Sequence, residues 1–166
     1  MAPATVFVGT MGAGKTSVGQ AVARRLGVPF ADTDAIIEER AGKPIPEIFF
    51  DDGEDAFRLL ERTVVSEALA EFDGVLALGG GAIMNEATRA LLAGHTVVWL
   101  SVELSDAVKR VGLGAGRPMI SINPRATMKF LLDQRKPLYA SVATHTVSTD
   151  GREIDDIAAE VVALLK

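Results

Sequence analysis

Residues 9–16 have the types and spacing of a phosphate-binding loop. They read GTMGAGKT and match the pattern GxxxxGKT, with a short apolar run before them and a helical pattern after them. Glycine at Gly12 and Gly14 lets backbone N–H groups point together at phosphate oxygens, which a Cβ would obstruct. We expect Lys15 to contact the β- and γ-phosphates of ATP and the Thr16 hydroxyl to ligate Mg²⁺. The nucleotide contacts expected from this loop are Gly12, Ala13, Gly14, Lys15, Thr16 and Ser17.

The same loop occurs in GTPases and motor ATPases, so other residues must define the reaction. The chain has two asparagines, at Asn85 and Asn123, and neither begins the guanine-reading sequence NKxD. A Ras-like switch protein is therefore not expected. The alternative of a glycine-rich turn with an incidental lysine is disfavoured by the strand and helix patterns on either side.

Two carboxylates follow the second predicted strand. Asp32 and Asp34 are two residues apart, so both are expected to leave the strand on the same side, at the edge where ligands bind. Phosphoryl transfer needs oxygen ligands for Mg²⁺ and a carboxylate that orients or deprotonates the attacking hydroxyl. We assign Asp32 to Mg²⁺, directly or through water, and Asp34 to the hydroxyl. The alternative for Asp34 is a helix cap, a common use of aspartate at this position.

Strands and helices alternate along the chain. Short apolar runs predict strands at residues 5–9, 28–32, 74–79, 95–102 and 144–149. Helical patterns predict helices at residues 17–26, 34–41, 54–71, 86–93, 105–111, 125–135 and 154–165. The alternation predicts a three-layer α/β/α fold around a five-stranded parallel sheet, with ligands at the carboxyl ends of the strands. Residues 112–124, GLGAGRPMISINP, have the composition of a mobile lid.

Length, charge and composition exclude several classes of protein. With 166 residues, 48% of them hydrophobic, the chain is expected to form a single domain over residues 1–166. The net charge is -5 and no stripe of lysine and arginine occurs, so neither a nucleic-acid nor a membrane partner is expected. The absence of cysteine excludes disulfides and thiol catalysis. Without a signal peptide or a membrane-spanning run, we expect a cytoplasmic protein, and we expect a monomer.

Six segments, taken in order, resemble the shikimate kinase family. They are GTMGAGKT at 9–16, FADTD at 30–34, FFDDGEDAFRLLE at 49–61, LGGGAI at 78–83, GRP at 116–118 and QRKPLY at 134–139. Each motif alone has low specificity, but the ordered set extends over nearly the whole chain. The resemblance implies a P-loop fold like that of nucleoside monophosphate kinases. It also implies transfer of the ATP γ-phosphoryl group to the 3-hydroxyl of shikimate, a step in the pathway to chorismate and aromatic amino acids.

The resemblance also implies an acceptor site. By similarity, Arg58 and Arg135 grip the shikimate carboxylate, while Asp34 and the Gly80 backbone contact hydroxyls. Glu61 steadies the site, and its spacing of three residues from Arg58 places both on one helix face. In isolation, Arg58 would be interpreted as part of a surface ion pair and Arg135 as a helix-end charge. The expected substrate contacts are Asp34, Arg58, Glu61, Gly79, Gly80, Gly81 and Arg135.

Three arginines complete the site that the resemblance implies. In the family, the counterpart of Arg117 moves with the lid onto the phosphates. The alternative for Arg117 is a free surface charge. The counterparts of Arg110 and Arg152 lie near the adenine. Relatives often have a proline shortly after the position of Arg152, and many have a hydroxyl residue where this chain has Ala77 and Leu78. The expected catalytic residues are Lys15, Asp34 and Arg117, within a domain that has a substrate segment at 32–61 and a lid at 112–124.

The triple glycine at residues 79–81 ends the third predicted strand. Bare backbone there lets a ligand approach closely, although a tight turn before the next helix is the alternative interpretation. Two other functions also remain open. One is another small-molecule P-loop kinase, such as a gluconate or nucleoside monophosphate kinase. The other is a nucleotide-gated binding module without turnover, which would need no acceptor site.

Overall fold

A five-stranded parallel sheet forms the centre of the molecule. The computed structural model describes residues 3, 5–10, 13–103 and 124–165. The strands are β1 (Thr5–Val8), β2 (Phe30–Asp32), β3 (Val75–Ala77), β4 (Val97–Ser101) and β5 (His145–Ser148). They lie in the order β2-β3-β1-β4-β5, and each neighbouring pair is parallel. The predicted sheet is confirmed.

Helices cover both faces of this sheet. They are α1 (Lys15–Leu26), α2 (Thr33–Ala41), α3 (Ile45–Asp52), α4 (Glu54–Glu71), α5 (Glu86–Leu92), α6 (Pro124–Val142) and α7 (Ile154–Leu165), with a short 3-10 turn at Ala82–Met84. One hydrophobic cluster packs α1 and α7 against one face, and another packs α4 and part of α6 against the other. The predicted three-layer architecture is confirmed.

The central strand shows why the apolar runs form this sheet. All four residues of β1 are buried. Phe7 belongs to the cluster with α1 and α7, whereas Val6 and Val8 belong to the cluster with α4. Because successive strand residues point to opposite faces, a strand covered on both faces must be apolar throughout.

Glycines end two of the helices at the predicted positions. Gly27, with φ of 71°, follows α1 and donates its N–H to the Ala23 carbonyl, and Gly42, with φ of 72°, follows α2 and donates to the Glu38 carbonyl. Both φ values are left-handed, a conformation that glycine adopts without the penalty of a Cβ. These caps fix where the chain leaves each helix.

One helix was not predicted from the sequence. α3 buries Ile45 and Ile48 in a small cluster with Ile37 of α2 and Phe57 of α4. The helix is only 8 residues long, and Gly53 separates it from α4. Its stability therefore comes from packing within the predicted substrate segment rather than from a long amphipathic pattern.

The prediction that α6 ends at Arg135 is wrong. The helix runs through Pro137 to Val142, although an internal proline removes a backbone hydrogen bond and costs about 3 kcal/mol. Burial of apolar side chains offsets that cost, since Leu131 and Leu132 are 2% and 5% exposed. Arg135 and Tyr139 of the same helix are 3% and 1% exposed. The two side chains lie one helical turn apart and point to the same side.

Some of the predictions concern residues that are not described. The predicted helix at 105–111 lies outside the described residues, as does the predicted lid at 112–124 except for Pro124, the first residue of α6. Within the described ranges, no helix has both the length and the apolar character needed to cross a bilayer.

Candidate active site

A cavity of 480 Å³ opens where the chain leaves β1, β2 and β3. Because the strands are parallel, these carboxyl ends meet at one edge of the sheet, as the sequence predicted. The residues that line the cavity are Ala13 to Val18, Asp32, Asp34, Ile45, Phe49, Phe57, Arg58, Glu61, Leu78, Gly80, Gly81, Arg135, Arg152, Ile154 and Ile157.

The phosphate loop turns from β1 into α1. At Gly9 an added Cβ would lie 2.6 Å from the Leu100 carbonyl oxygen, so a side chain does not fit there. Gly14 has a φ of 90° and leads directly into α1, whose first turn contains no acidic residue. Lys15 Nζ donates to the carbonyl oxygens of Gly9 at 2.6 Å and Thr10 at 3.1 Å. The ammonium group and the helix amino terminus thus face the same cavity, which favours the binding of anions there. Gly12, another predicted nucleotide contact, lies outside the described residues.

Oxygen donors suited to Mg²⁺ lie beside this loop. The Thr16 hydroxyl donates to Asp32 Oδ2 at 2.9 Å, so a hydroxyl and a carboxylate are already adjacent. Hard oxygen ligands of this kind fit Mg²⁺, which usually takes only one or two carboxylates and completes its shell with phosphates and water. The described residues contain no cluster of three or more histidine, cysteine or carboxylate ligands.

The helix cap belongs to Asp32 rather than to Asp34. Asp32 Oδ1 accepts a hydrogen bond from the Asp34 N–H at 2.8 Å and so caps the amino terminus of α2. Asp34 lies in the first turn of that helix and lines the cavity. The capping alternative for Asp34 is therefore wrong, and its carboxylate is placed on the ligand side.

The triple glycine makes room for two charged side chains. A Cβ at Gly79 would lie 2.5 Å from Asp34 Oδ1, and a Cβ at Gly81 would lie 2.7 Å from both terminal nitrogens of Arg58. Such distances are too short for any carbon–oxygen or carbon–nitrogen contact. A side chain at Gly79 or Gly81 would therefore displace the Asp34 carboxylate or the Arg58 guanidinium from its present position in the site. Gly80 and Gly81 line the cavity.

Arg58 is held from three sides on α4. Its Nη1 donates to Glu61 Oε1 at 2.7 Å, and its Nε lies 3.5 Å from Glu54 Oε2. Its guanidinium also stands 5.1 Å from the centre of the Phe57 ring. Arg58 is therefore fixed before any ligand binds, which lowers the entropy cost of pairing with a carboxylate.

Glu61 connects the charged groups of the acceptor side. It is 4% exposed, and burial raises its pKa above the ordinary value, while the Arg58 charge and hydrogen bond lower it. The charge of Asp34 adds to the rise and that of Arg135 opposes it. The charges of Arg58, Asp34 and Arg135 therefore all lie close enough to act on Glu61, as the sequence-based hypothesis required.

Arg135 has an unused donor in a buried position. Its side chain is 3% exposed, and within the described residues its Nε has no hydrogen-bond partner. Buried donors are almost always paired in folded proteins, so an unpaired one at a cavity wall indicates a missing ligand or water. Arg135 lines the cavity beside Glu61, which fits the predicted carboxylate contact.

Two residues that contribute to the site were not predicted. Thr33 Oγ1 accepts the Gly79 N–H at 3.1 Å, and the Tyr139 hydroxyl donates to the Gly80 carbonyl at 2.6 Å. Both residues were within the quoted motifs, yet only the fold shows that their hydroxyls reach the triple glycine.

The part of the cavity lined by Arg152 and α7 is less charged. Arg152 donates to the Ser148 carbonyl at 2.9 Å and pairs with Glu160 at 2.7 Å, so its charge is partly used within the chain. Ile154 and Ile157 of α7 line the cavity beside it and offer an apolar surface. The predicted contacts Arg110 and Arg117 lie outside the described residues.

Comparison with known proteins gives a consistent result. The shikimate kinase family model matches residues 11–166. The shikimate kinase of Salinispora arenicola is 65% identical over 165 residues, covering 99% of both chains, and that of Thermobifida fusca is 60% identical over 161 residues, covering 97% of this chain and 93% of its own. The solved shikimate kinase of Acinetobacter baumannii, in complex with shikimate, superposes with a TM-score of 0.95 at 36% identity and covers 99% of this chain and 93% of its own. This chain belongs to the shikimate kinase family.

Proposed function

We propose that the chain transfers the γ-phosphoryl group of ATP to the 3-hydroxyl of shikimate, giving shikimate 3-phosphate and ADP. One observation supports this most directly. The phosphate loop around Lys15 and the charged cluster of Asp34, Arg58, Glu61 and Arg135 line a single cavity. A nucleotide and an anionic alcohol can therefore meet in it, and family membership favours shikimate over gluconate or a nucleoside monophosphate.

The phosphate half of the cavity binds and stabilises the triphosphate. Lys15 and the first N–H groups of α1 neutralise charge on the β- and γ-phosphates. Thr16 and Asp32 would hold Mg²⁺ next to these phosphates. When bound, the ion supplies positive charge to the oxygens that become more negative during transfer.

The acceptor half orients the alcohol. Arg135 and Arg58 bind the carboxylate of shikimate through planar N–H groups, which suit a two-oxygen anion better than an ammonium group does. Glu61 keeps the Arg58 guanidinium in place through their 2.7 Å contact. Phe57 and Phe49, whose rings lie 4.9 Å apart, give the ring of the substrate an apolar wall.

Asp34 is the residue that acts on the reacting hydroxyl. Its carboxylate accepts the hydrogen bond of the 3-hydroxyl and takes up its proton as the new oxygen–phosphorus bond forms. The bond between the γ-phosphorus and the β–γ bridging oxygen breaks at the same time, and ADP leaves with that oxygen. The cap made by Asp32 fixes Asp34 by holding its backbone N–H.

The remaining residue roles belong to this proposal. In this proposal residues 112–124, the last of which begins α6, act as a lid that excludes water from the reaction, and Arg117 acts on the phosphates. Arg110 and Arg152 lie beside the adenine. The chain works as one domain and as a cytoplasmic monomer, without a nucleic-acid or membrane partner, in keeping with its net charge of -5.

The test is an assay of ADP formation with Mg²⁺ and ATP. We expect ADP to form only when shikimate is added, and not with gluconate or nucleoside monophosphates. Shikimate 3-phosphate should be the phosphorylated product by mass and phosphorus NMR spectra. Binding of ATP without acceptor-dependent ADP would contradict the proposal and support a binding module.

A further inference from the structure

Four hydrogen bonds hold the triple-glycine turn after β3, and one of them joins the Met84 N–H to the Gly81 carbonyl at 3.1 Å. The other three precede that bond along the turn. The Gly79 N–H donates to Thr33 Oγ1 at 3.1 Å, and the Gly79 carbonyl accepts from the Ala82 N–H at 3.1 Å. The Gly80 carbonyl accepts from the Tyr139 hydroxyl at 2.6 Å. Because each peptide unit is planar, these bonds fix the orientation of three successive peptide planes, 78–79, 79–80 and 80–81.

This arrangement leaves two donors for a ligand. Within the described ranges, none of the hydrogen bonds uses the N–H of Gly80 or Gly81, and both residues line the cavity. Glycine alone would not hold these N–H groups in one direction, since its backbone has more freedom than that of any other residue. The Gly81 N–H lies in the 80–81 plane, which Tyr139 holds, and the Gly80 N–H lies in the 79–80 plane, which the Ala82 N–H holds. Thr33 holds the preceding 78–79 plane, from which the turn starts.

Both hydroxyls come from elements that carry acceptor contacts. Thr33 immediately precedes Asp34, and Tyr139 lies one turn beyond Arg135 on α6. Thr33 is fully buried and Tyr139 is 1% exposed, so water cannot readily replace either bond. Burial also raises the pKa of Tyr139 to about 12, so the phenol remains a hydrogen-bond donor at neutral pH.

We propose that Thr33 and Tyr139 are positioning residues for the acceptor, an inference that rests on the proposed function. Neither side chain lines the cavity. They act through the triple-glycine backbone, which presents the N–H groups of Gly80 and Gly81 to the acceptor hydroxyls. Tyr139 holds the plane of the Gly81 N–H directly, and Thr33 anchors the start of the turn that carries the Gly80 N–H. They also hold that turn at a fixed position relative to Asp34 and Arg135.

The first test compares Tyr139→Phe and Thr33→Val with the wild-type protein. Each variant removes one hydroxyl and keeps nearly the same shape. We expect KM for shikimate to rise about tenfold in each variant, with KM for ATP changed less than about twofold, because only the acceptor contacts lose their orientation. Thr33→Ser keeps a hydroxyl and should restore KM for shikimate to within about threefold of the wild-type value.

Thr5→Val is the matched control. Thr5 is also a fully buried threonine of the sheet, and its hydroxyl donates to the Thr96 carbonyl at 3.2 Å. It lies at the opposite, amino-terminal end of β1, away from the cavity. Thr5→Val should lower stability without changing either KM value, which separates loss of a buried hydroxyl from loss of positioning.

The second test does not depend on shikimate. Hydrogen exchange of the Ala82 amide, which donates to the Gly79 carbonyl, should accelerate about tenfold in Tyr139→Phe, relative to amides of β1, because the turn has lost one of its bonds. Emission from Trp99 checks that the ring still packs. Trp99 is the single tryptophan of the chain, and its ring centre lies 5.8 Å from that of Tyr139. Because phenylalanine keeps the aromatic ring, the Trp99 emission of Tyr139→Phe should match that of the wild-type protein.

The outcomes separate this inference from the proposed function. A wild-type protein that does not phosphorylate shikimate contradicts the proposed function and, with it, the acceptor role of these two hydroxyls. An active wild-type protein whose Tyr139→Phe and Thr33→Val variants keep the wild-type KM for shikimate overturns the inference alone. Equal increases in KM for shikimate and ATP, or unchanged exchange of the Ala82 amide in Tyr139→Phe, would also overturn it.

Discussion

The two halves of the cavity are built in different ways. The phosphate half comes from one continuous segment, residues 9–16, in which Lys15 bonds to carbonyl oxygens only five and six residues away. The acceptor half brings together Asp34, Arg58 and Arg135 from α2, α4 and α6. In the proposed function, the local half binds the triphosphate and the assembled half selects the acceptor. Selectivity here depends on the fold more than on any single motif.

The halves also differ in charge. The phosphate loop offers an ammonium group and backbone N–H groups to an anion. The acceptor side pairs acidic and basic side chains, with Glu61 held against Arg58 at 2.7 Å. Substitutions in the two halves should therefore change different kinetic constants.

The largest effect is expected in the phosphate half. Lys15→Ala removes the cation beside the phosphates, so kcat/KM should fall about 10³-fold, with shikimate affinity retained. Steady-state assays with both substrates varied would measure this. Lys129→Ala is the control and should have wild-type activity, because Lys129 is an exposed lysine paired with Asp133. A Lys15→Ala variant within tenfold of wild type would show that the loop does not bind the reacting phosphates.

Arg135→Ala should have the next largest effect, on the acceptor half alone. Loss of a buried arginine that pairs with a carboxylate should weaken shikimate binding by roughly 2–5 kcal/mol. Calorimetric titration gives this number directly. Arg62→Ala removes an exposed arginine of α4 and should leave the affinity unchanged. Equal affinities of Arg135→Ala and wild type would remove Arg135 from the acceptor site.

Asp34→Asn sharpens the comparison within the acceptor half. Asparagine keeps the size of the side chain but cannot take the proton, so kcat should fall by about 10²-fold with little change in shikimate affinity. Asp51→Asn, which alters a surface ion pair with Lys43, is the control. Turnover by Asp34→Asn at the wild-type rate would contradict its role at the hydroxyl.

Glu61→Gln should give the smallest effect. Removal of the partner charge frees Arg58, and KM for shikimate should rise about tenfold. Glu54→Gln affects the more exposed partner of the same arginine and should change KM by less than about twofold. Equal KM values for shikimate in Glu61→Gln and Glu54→Gln would show that the buried contact of Arg58 with Glu61 matters no more than its exposed contact with Glu54.

The stability of the wild-type protein should depend on the protonation of Glu61, with Glu61→Gln as the reference. Burial raises the folded-state pKa of Glu61 above its ordinary 4.5, despite the opposing charge of Arg58. The contribution of Glu61 to stability is therefore greatest below pH 4.5 and is lost as pH rises through the folded-state pKa. Relative to Glu61→Gln, wild type should lose stability over that range in urea unfolding at a series of pH values. A constant difference would contradict the raised pKa.

Local patterns made much of this structure predictable. The phosphate loop, the glycines that end α1 and α2, and the apolar strands are each encoded within a few residues. Their physical causes are backbone conformation and burial on both faces of a sheet. The parallel sheet then followed from the alternation of strands and helices.

Long-range packing explains what the sequence did not reveal. α3 is short and is stabilised by Ile37 and Phe57 of other helices. The continuation of α6 through Pro137 depends on burial of Tyr139. The contacts of Thr33 and Tyr139 with the triple glycine join residues 46 and 59 positions apart, a relation that no local pattern records.

The most direct test of the two-part cavity is a parallel titration of shikimate and of ATP with Mg²⁺ into wild type, Lys15→Ala and Arg135→Ala. We expect a crossed pattern, in which Lys15→Ala loses nucleotide affinity but binds shikimate, and Arg135→Ala does the reverse. Loss of both ligands in either folded variant, or no binding of shikimate to wild type, would show that the two halves are not the separate binding surfaces described above.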